Sequence, residues 1–561
     1  MTVTGFVEGG IKPISGSAVT LFQAAASPGG APVRLATAKT DKNGAYTIRL
    51  AALPSAGSIL YLAASGGDAG GGPNQAIMLM AILGPPATAT VTINEVSTVA
   101  AAYVASNFIT NKIDIADSSL HSLASAVSAI GNIVNLATGA AAGPISTAPN
   151  DSSRLNTLAN ALANCVQATA AAPACTDLFA AAANSPPPPV DTMGAIIDIN
   201  KSPANHVTDV FDVAANGPYT PALDEPPTDW TLAINYGAGG LSTPVDIAVE
   251  ASGNAWIANL ANSVTVLTPA GAPLAGSPLT GNGLNAPEDL AIDGSGNVWV
   301  TNSGASSVSA FTSSGAPLTG SPFISTFMIP QGIAADAQSN IWVANAFSDG
   351  VTEFSAANPA APVNFSRGGS SVPRDVAVDG SGNVWVSEVD SYISVTEFPA
   401  SSRDSAASFG VGGNNPDGIA LDSHNNIWVA NLGNSSVTEL AANNPDLAAN
   451  FTGGGLNVPA DLAIDGADNV WVANCAVTGC DGTSVSTVTE LNSAGTALSP
   501  VSGFTGAAMN DAVGIAVDAA GNVWVANQGN STVTEFLGVA TPVKTPLAPP
   551  LSLAPRPRPP T

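Results

Sequence analysis

Seven tryptophans spaced at nearly constant intervals constrain the fold of this chain more than any other feature. Trp256 opens the series; each of the next five follows its predecessor by 43 residues, and Trp524 follows after 53. Each stands in nearly the same phrase, P-x-(D/G)-(I/L/V)-A, then an acidic residue, then N-x-W. A period near 43 residues with strand-turn-strand content is typical of β-propeller blades. The sequence therefore predicts a propeller of seven blades over residues 228–541.

The two ends of this array are incomplete in complementary ways. The last copy ends after its third strand, "STVTEFLGVA", and the array begins with an orphan strand, "DWTLAINYGAGGL". The orphan strand matches "DLAANFTGGGL", which is the fourth strand between the fifth and sixth copies. We therefore expect the N-terminal strand to complete the last blade, a three-plus-one closure that leaves no free sheet edge.

The repeat resembles NHL repeats and the related repeats of streptogramin B lyases, over more than half of the chain. Residues 1–93 alternate β-branched runs with Gly/Pro turns. Within them, "GFVEGGIKPISGSAVTLF" and "TDKNGAYTI" resemble the carboxypeptidase-regulatory-like, transthyretin-type β-sandwich, which implies a non-catalytic spacer. Residues 94–215 are Ala-rich with helical apolar spacing, and "DSSL" and "DSSR" supply N-cap residues.

The predicted fold class is thus mainly β: a seven-bladed β-propeller preceded by a small β-sandwich and an Ala-rich helical module. The tail over residues 542–561 is Pro-rich, which predicts an extended and mobile segment. The chain has 41 acidic and 14 basic residues, a formal charge of −27. That balance argues against nucleic acid and anionic membrane surfaces as partners, since both need a basic footprint. The run "AIMLMAIL" is too short to span a bilayer.

The four cysteines fall in two close pairs, Cys165/Cys175 and Cys475/Cys480, without further metal ligands nearby. This pattern predicts two disulfides and an oxidising compartment, so we expect an exported protein that is periplasmic, surface-bound or secreted. No export signal is visible after Met1. One hypothesis is that the given start lies inside a longer precursor.

Strand alternation predicts a ring of carboxylates on one face of the propeller. The first strand of each blade starts, and the second strand ends, on the face that we call the top face. Two residues before a repeated axial Ala, four copies carry Asp: Asp246, Asp289, Asp375 and Asp461. These carboxylates could hold a polar ligand or a hard cation, calcium or magnesium. Alternatively, each Asp accepts backbone N–H groups at a strand start.

The second strands add an odd residue to this face. Six copies end in Asn, among them Asn345 and Asn431, and the fourth ends in Glu388. Repeated Asn usually caps a turn, whereas Glu388 shares its copy with Asp375. The chain is similar in kind to the gluconolactonase family, which implies a metal held by Glu388, Asp375 and Asn431. Drift of the repeat is the alternative for Glu388.

The top face is therefore the predicted working surface, and three hypotheses for the function remain. The first is non-catalytic binding of a protein, glycan or small polar ligand. Another is a purely structural role in the cell envelope. The alternative is a metal-assisted hydrolase or lyase of the gluconolactonase/streptogramin lyase type. The lyase resemblance implies a histidine general base on the top face, but the single propeller histidine, His424, lies in a turn on the other face.

Overall fold

The computed structural model describes residues 1–50, 54–55, 57–84, 90–111, 113–117, 122–324, 329–348, 350–366, 372–389, 394–475, 485–506 and 508–543. The chain divides into two compact units. The first unit comprises Met1–Asn235, Ala520–Asn522 and Phe536–Thr541, and the second comprises Tyr236–Ala519, Val523–Glu535 and Pro542–Thr561. Within the described ranges, no helix is both long enough and apolar enough to cross a membrane.

Two four-stranded sheets open the first unit. In one, Thr2–Gly9 pairs antiparallel with Lys12–Pro13 and Ala45–Arg49, and parallel with Thr90–Ile93. The other sheet has the order Val33–Lys39, Ala18–Gln23, Leu60–Ser65, Met78–Leu83. Two short hairpins follow in the chain, Ile109–Thr110 with Asp114–Ile115 and Val134–Asn135 with Ala140–Ala141.

The helices of the first unit surround one helix that is buried along its whole length, Glu95–Ala105. Its start follows from a capping box, in which Asn94 accepts the Ser97 N–H and Ser97 accepts the Asn94 N–H. The remaining helices are Ser122–Ser128, the 3₁₀ turn Ala129–Asn132, Gly143–Thr147, Pro149–Val166, Pro173–Ala182, Thr192–Lys201 and Val207–Val213.

A disulfide and a pair of side-chain hydrogen bonds anchor the longest helix, Pro149–Val166. Cys165 is bonded to Cys175 at the start of the next helix, as predicted. On another side of the helix, Asn160 donates to the Tyr219 carbonyl at 2.9 Å and accepts the Tyr219 N–H at 2.7 Å. The segment around Tyr219 is therefore docked along this helix.

The second predicted disulfide is described only in part. Cys475 is disulfide-bonded, and its predicted partner, Cys480, lies outside the described residues. Residues 544–561 of the predicted mobile tail also lie outside them.

The second unit is built from small antiparallel sheets that repeat in chain order. Sheet by sheet, their strands are Pro244–Val249, Ala255–Asn259, Ser263–Leu267 and Leu279–Thr280; Pro287–Ile292, Val298–Asn302, Ser307–Phe311 and Phe323–Ile324; Pro330–Ala335, Ile341–Asn345, Gly350–Phe354 and Val363–Ser366; Pro373–Val378, Val384–Glu388, Ser394–Phe398 and Ala407–Gly410; Pro416–Leu421, Ile427–Asn431, Ser436–Ala441 and Asn444–Phe451; Pro459–Ile464, Val470–Asn474 and Thr487–Leu491; and Ala512–Val517, Val523–Asn527 and Thr532–Phe536, with Ala233–Tyr236 as the fourth strand.

These sheets close into a ring, which makes the unit a β-propeller. The first strand of each sheet contacts the first strand of the next, and Ala512–Val517 of the last sheet contacts Pro244–Val249 of the first. The sixth sheet has three strands, and Phe504 bridges to Val488 at the position of a fourth. The prediction of a propeller is confirmed.

The last sheet takes its outer strand from the N-terminal side of the array, as the repeat pattern predicts. Tyr236 on that strand stacks on Trp524, with ring centroids 5.8 Å apart, and donates to Glu535 at 2.7 Å. In the second to fifth sheets a Phe on the fourth strand fills the same place, for example Phe451 against Trp428 at 5.6 Å. The closure therefore reproduces the packing within the ring and adds one buried hydrogen bond.

A hydrogen bond between a turn carboxylate and the tryptophan indole recurs around the ring. In the second sheet Asp293 accepts two turn N–H groups through Oδ1, while its Oδ2 accepts Trp299 Nε1 at 3.0 Å. Five more sheets repeat the bond, from Trp342, Trp385, Trp428, Trp471 and Trp524 to the Asp six residues earlier. In the first sheet Glu250 replaces this Asp, and the described residues offer buried Trp256 Nε1 no acceptor.

The exception at Glu250 gives a stability prediction. Glu250→Asp should stabilise the protein by about 1 kcal/mol, because the shorter side chain can accept the Trp256 N–H as its counterparts do. Denaturant unfolding, followed by tryptophan fluorescence, measures the change. The matched control is the reverse exchange in the next sheet, Asp293→Glu, which should cost about 1–3 kcal/mol by leaving Trp299 Nε1 unsatisfied. An unchanged or lowered midpoint for Glu250→Asp would contradict the role assigned to this bond.

Candidate functional site

The first strands of the seven sheets enclose an axial channel with a cavity of about 620 Å³. Small side chains line it where the strands converge. Every copy contributes its repeated alanine to the lining, namely Ala248, Ala291, Ala334, Ala377, Ala420, Ala463 and Ala516. This agrees with the strand alternation read from the sequence. A cavity of this size is in the range of small-molecule sites in proteins.

The predicted carboxylate ring links neighbouring sheets. Each of its four members accepts a backbone N–H from the first strand of the next sheet, at 2.7–3.1 Å. The pairs are Asp246 with Leu290, Asp289 with Ile333, Asp375 with Ile419, and Asp461 with Ile515. These contacts agree with the alternative in which each Asp accepts backbone N–H groups. The N–H groups accepted here belong to the neighbouring sheet.

The three glycines that alternate with these Asp residues leave room for them. A Cβ on Gly332 would lie 2.5 Å from Asp375 Oδ1, and one on Gly418 would lie 2.7 Å from Asp461 Oδ1. A Cβ on Gly514 would lie 2.7 Å from Asp246 Cα. Alternation of Asp and Gly is therefore a packing requirement around most of the ring, and the adjacent pair Asp246 and Asp289 is its exception.

Burial and mutual repulsion set the protonation of the ring. Burial raises the pKa of Asp289 well above its usual range, and the neighbouring Asp246 raises it further. Burial is also the main cause that raises the pKa of Asp375, to about 7, and that of Asp461. Asp246 adds repulsion to both. Asp289, Asp375 and Asp461 therefore hold protons at pH values where isolated carboxyl groups are ionised.

The ends of the second strands are not part of the cavity lining. Glu388, Asn345 and Asn431 are all buried, and none of them lines the channel. Each is hydrogen-bonded to the third strand of its own sheet: Thr396 donates to Glu388 at 2.7 Å, while Asn345 and Asn431 donate to Thr352 and Thr438 at 3.0 and 2.8 Å. The structure thus brings Asp246, Asp289 and Asp375 together at the cavity, but not Glu388 with Asp375.

Among the described residues, no group of three or more His, Cys, Asp or Glu side chains is arranged to hold a metal ion. The side chains of the predicted set, Glu388, Asp375 and Asn431, do not converge on one point. Glu388 and Asn431 are instead hydrogen-bonded inside their own sheets.

Sequence reasoning missed one set of side chains at the top mouth. These occupy the variable position of the phrase P-x-(D/G), directly before the ring. Four of them are polar and half-buried, Glu288, Gln331, Arg374 and Asp417, and the remaining three are Val245, Ala460 and Val513. The signal that could have found them is the variability of this position between copies whose other positions repeat.

The polar members of this set form a connected arc. Arg374 donates to Gln331 at 3.1 Å, and Ser303 donates to Glu288 at 2.8 Å. Burial raises the pKa of Asp417, which the charge of Arg374 partly offsets. The mouth therefore presents donors, acceptors and charges of both signs on one side and small apolar groups on the other.

His424 lies at the opposite end of the channel, as its turn position predicts. Its Nδ1 is 3.2 Å from Asp468 Oδ2, and the Ser423 hydroxyl donates to the same oxygen at 2.6 Å. Ser423 and Asp468 line the cavity, together with Asp465. These residues lie about one strand length from the top mouth.

No protein-family model matches this sequence, and no curated protein matches it. Among solved structures, a streptogramin B lyase is similar with a TM-score of 0.47 at 14% identity, covering 55% of this chain and 97% of that one. Virginiamycin B lyase from Staphylococcus aureus gives a TM-score of 0.45 at 16% identity, with coverages of 55% and 99%. The WD40 repeats of RRP9 give 0.42 at 12% identity, with 54% and 97%.

The raised pKa of Asp375 predicts a pH-dependent stability. An acid whose pKa is about 7 in the folded protein and about 4 in the unfolded chain favours folding at low pH. Its contribution is lost as pH rises between these two values, with a slope of up to about 1.4 kcal/mol per pH unit. Asp375→Asn should reduce this slope, which denaturant unfolding at a series of pH values measures. The exposed Asp446→Asn serves as a control; equal slopes in both variants would contradict the assignment.

Proposed function

We propose that this protein is an exported, non-catalytic binding protein whose propeller uses its top face to hold a protein, glycan or small polar ligand. The observation that carries the proposal is the arc of half-buried polar residues, Glu288, Gln331, Arg374 and Asp417, at the mouth of a 620 Å³ channel. The surrounding repeat is rigid and hydrogen-bonded, and variable side chains on such a frame are where binding specificity resides.

The finer architecture belongs to the same proposal. The seven sheets are interpreted as the seven blades of a complete NHL-type propeller, preceded by a carboxypeptidase-regulatory-like domain and a helical module. Pairing of Thr2–Gly9 with Ala45–Arg49 and Thr90–Ile93 supports the interpretation of residues 1–93 as a β-sandwich domain. Export is supported by the bond between Cys165 and Cys175, since disulfides persist in oxidising compartments.

The top-face proposal predicts a shared loss of binding. A thermal-shift screen of glycans, peptides and polar metabolites would identify ligands of the intact protein. Arg374→Ala together with Glu288→Ala should weaken a true ligand by about tenfold or more, since buried charged hydrogen bonds contribute about 1.5–3 kcal/mol each. The control is Ser314→Ala on an exposed turn away from the mouth. Ligands that respond to the control and not to the double variant would place binding elsewhere.

The metal-assisted hydrolase or lyase is the second candidate function, and it makes a separate prediction. If Glu388, Asp375 and Asn431 hold calcium or magnesium, dialysed protein should retain about one ion per chain, and Glu388→Gln should lose it. Elemental analysis measures this directly. Because Glu388 already accepts a hydrogen bond from Thr396 inside its sheet, we expect the binding function and not the metal site. Retention of a stoichiometric ion in the native protein alone would reverse that order.

A further inference from the structure

The axial channel has aliphatic walls and acidic ends. Between the ends, its lining consists of Ala, Val, Ile and Leu side chains of the first strands, and Pro542 and Val543 from the C-terminal segment also line the cavity. Asp246, Asp289 and Asp375 stand at the top, and Asp465 and Asp468 stand at the other end. Among the described lining residues there is no Lys, Arg or His. The cavity is therefore apolar along its length and lined by carboxyl groups at both ends.

The two acidic ends are separated by about one first strand. Asp461 at the level of the ring and Asp465 at the far end are four residues apart on one strand, which corresponds to about 13 Å. A carboxylate of the far end is also accessible, since Asp468 is 15% exposed. Asp468 contacts Ser423 and His424, and the Ser423 N–H donates to its Oδ1 at 2.9 Å.

The top carboxyl groups lack a compensating charge in the cavity. Burial and repulsion from neighbouring carboxyl groups raise the pKa of Asp289 and of Asp375, and backbone N–H groups are the partners of these two side chains. A cation placed among them would relieve the repulsion and release the protons that they hold. Arg374 lies outside the cavity lining and is bonded to Gln331. The structure therefore favours a ligand that brings positive charge at its ends and an apolar chain between them.

We propose that the channel binds α,ω-diammonium compounds with an unbranched aliphatic chain. One ammonium group would lie among Asp246, Asp289 and Asp375, and the other would lie at Asp468. The chain between them would contact the axial alanines and their neighbours. This inference rests on the proposed binding function, because it names a ligand class for the channel beneath the same top face.

Calorimetric titration of the full chain with a length series tests the proposal. Diaminooctane, whose extended length is close to the separation of the ends, should bind about tenfold more tightly than octylamine, which has one charge. Diaminobutane is too short to reach both ends and should bind more weakly than diaminooctane. Octanediol matches the chain length without charge and should not bind detectably. Equal affinity for octanediol and diaminooctane would overturn the proposal.

Two variants and one control assign the two ends. Asp375→Asn and Asp468→Asn should each bring the affinity for diaminooctane down to that for octylamine, while the exposed Asp446→Asn should leave it unchanged. Binding should release protons, so the affinity should rise from about pH 6 to about pH 8, and titrations in buffers of different ionisation enthalpy measure the release. Equal loss in all three variants would show non-specific attraction to an acidic chain and would overturn the proposal.

The test also separates this inference from the function on which it rests. If diaminooctane fails to bind while a screened ligand binds and responds to Arg374→Ala with Glu288→Ala, the inference fails and the proposed function stands. If diaminooctane binds and no ligand responds to the double variant, the channel is the binding site and the top-face proposal fails.

Discussion

The buried hydrogen bond between a tryptophan indole and the carboxylate of the preceding turn is the contact on which the rest of the propeller depends. In Asp293 one oxygen accepts two N–H groups of the turn while the other accepts Trp299 Nε1. One side chain thus fixes both the hairpin and the orientation of the indole. The oriented indole packs against an aromatic ring of the outer strand, as Trp299 does against Phe323 at 5.3 Å. The Asp and Trp of this contact recur together in six sheets, and the first sheet, which carries Glu250, has the indole without the bond.

The sequence predicted those parts of the fold that depend on periodicity. It predicted less about the side-chain contacts that neighbouring strands make. The tryptophan spacing led to the sheets, and the match between the first strand and an internal fourth strand led to the closure at Tyr236. Alternation favours a position beside the axis for Asp246 and its equivalents, and Asp246, Asp289 and Asp375 line the cavity. Alternation does not state what covers a side chain. Thr396 on the next strand donates a hydrogen bond to Glu388. The alternation pattern of a single strand does not indicate that contact.

The helical module shows the same limit. The tetrapeptide "DSSR" predicted an N-cap, but the helix begins two residues earlier, at Pro149, and Asp151 is buried in its first turn. That prediction was wrong because Pro is well suited to the first helical position. Burial raises the pKa of Asp151 to about 6, and the charge of Arg154 offsets part of this effect. Tertiary contacts displaced the local signal.

The burial of so many carboxyl groups changes the meaning of the formal charge. A value of −27 assumes that every acid is ionised. Burial raises the pKa of Glu95 to about 7 and that of Glu490 to about 8, and it raises the pKa of Glu535 as well as those of the axial ring. Near neutral pH some of these buried carboxyl groups are therefore protonated and carry no charge. The raised pKa values of the axial carboxyl groups therefore couple the stability of the ring to pH.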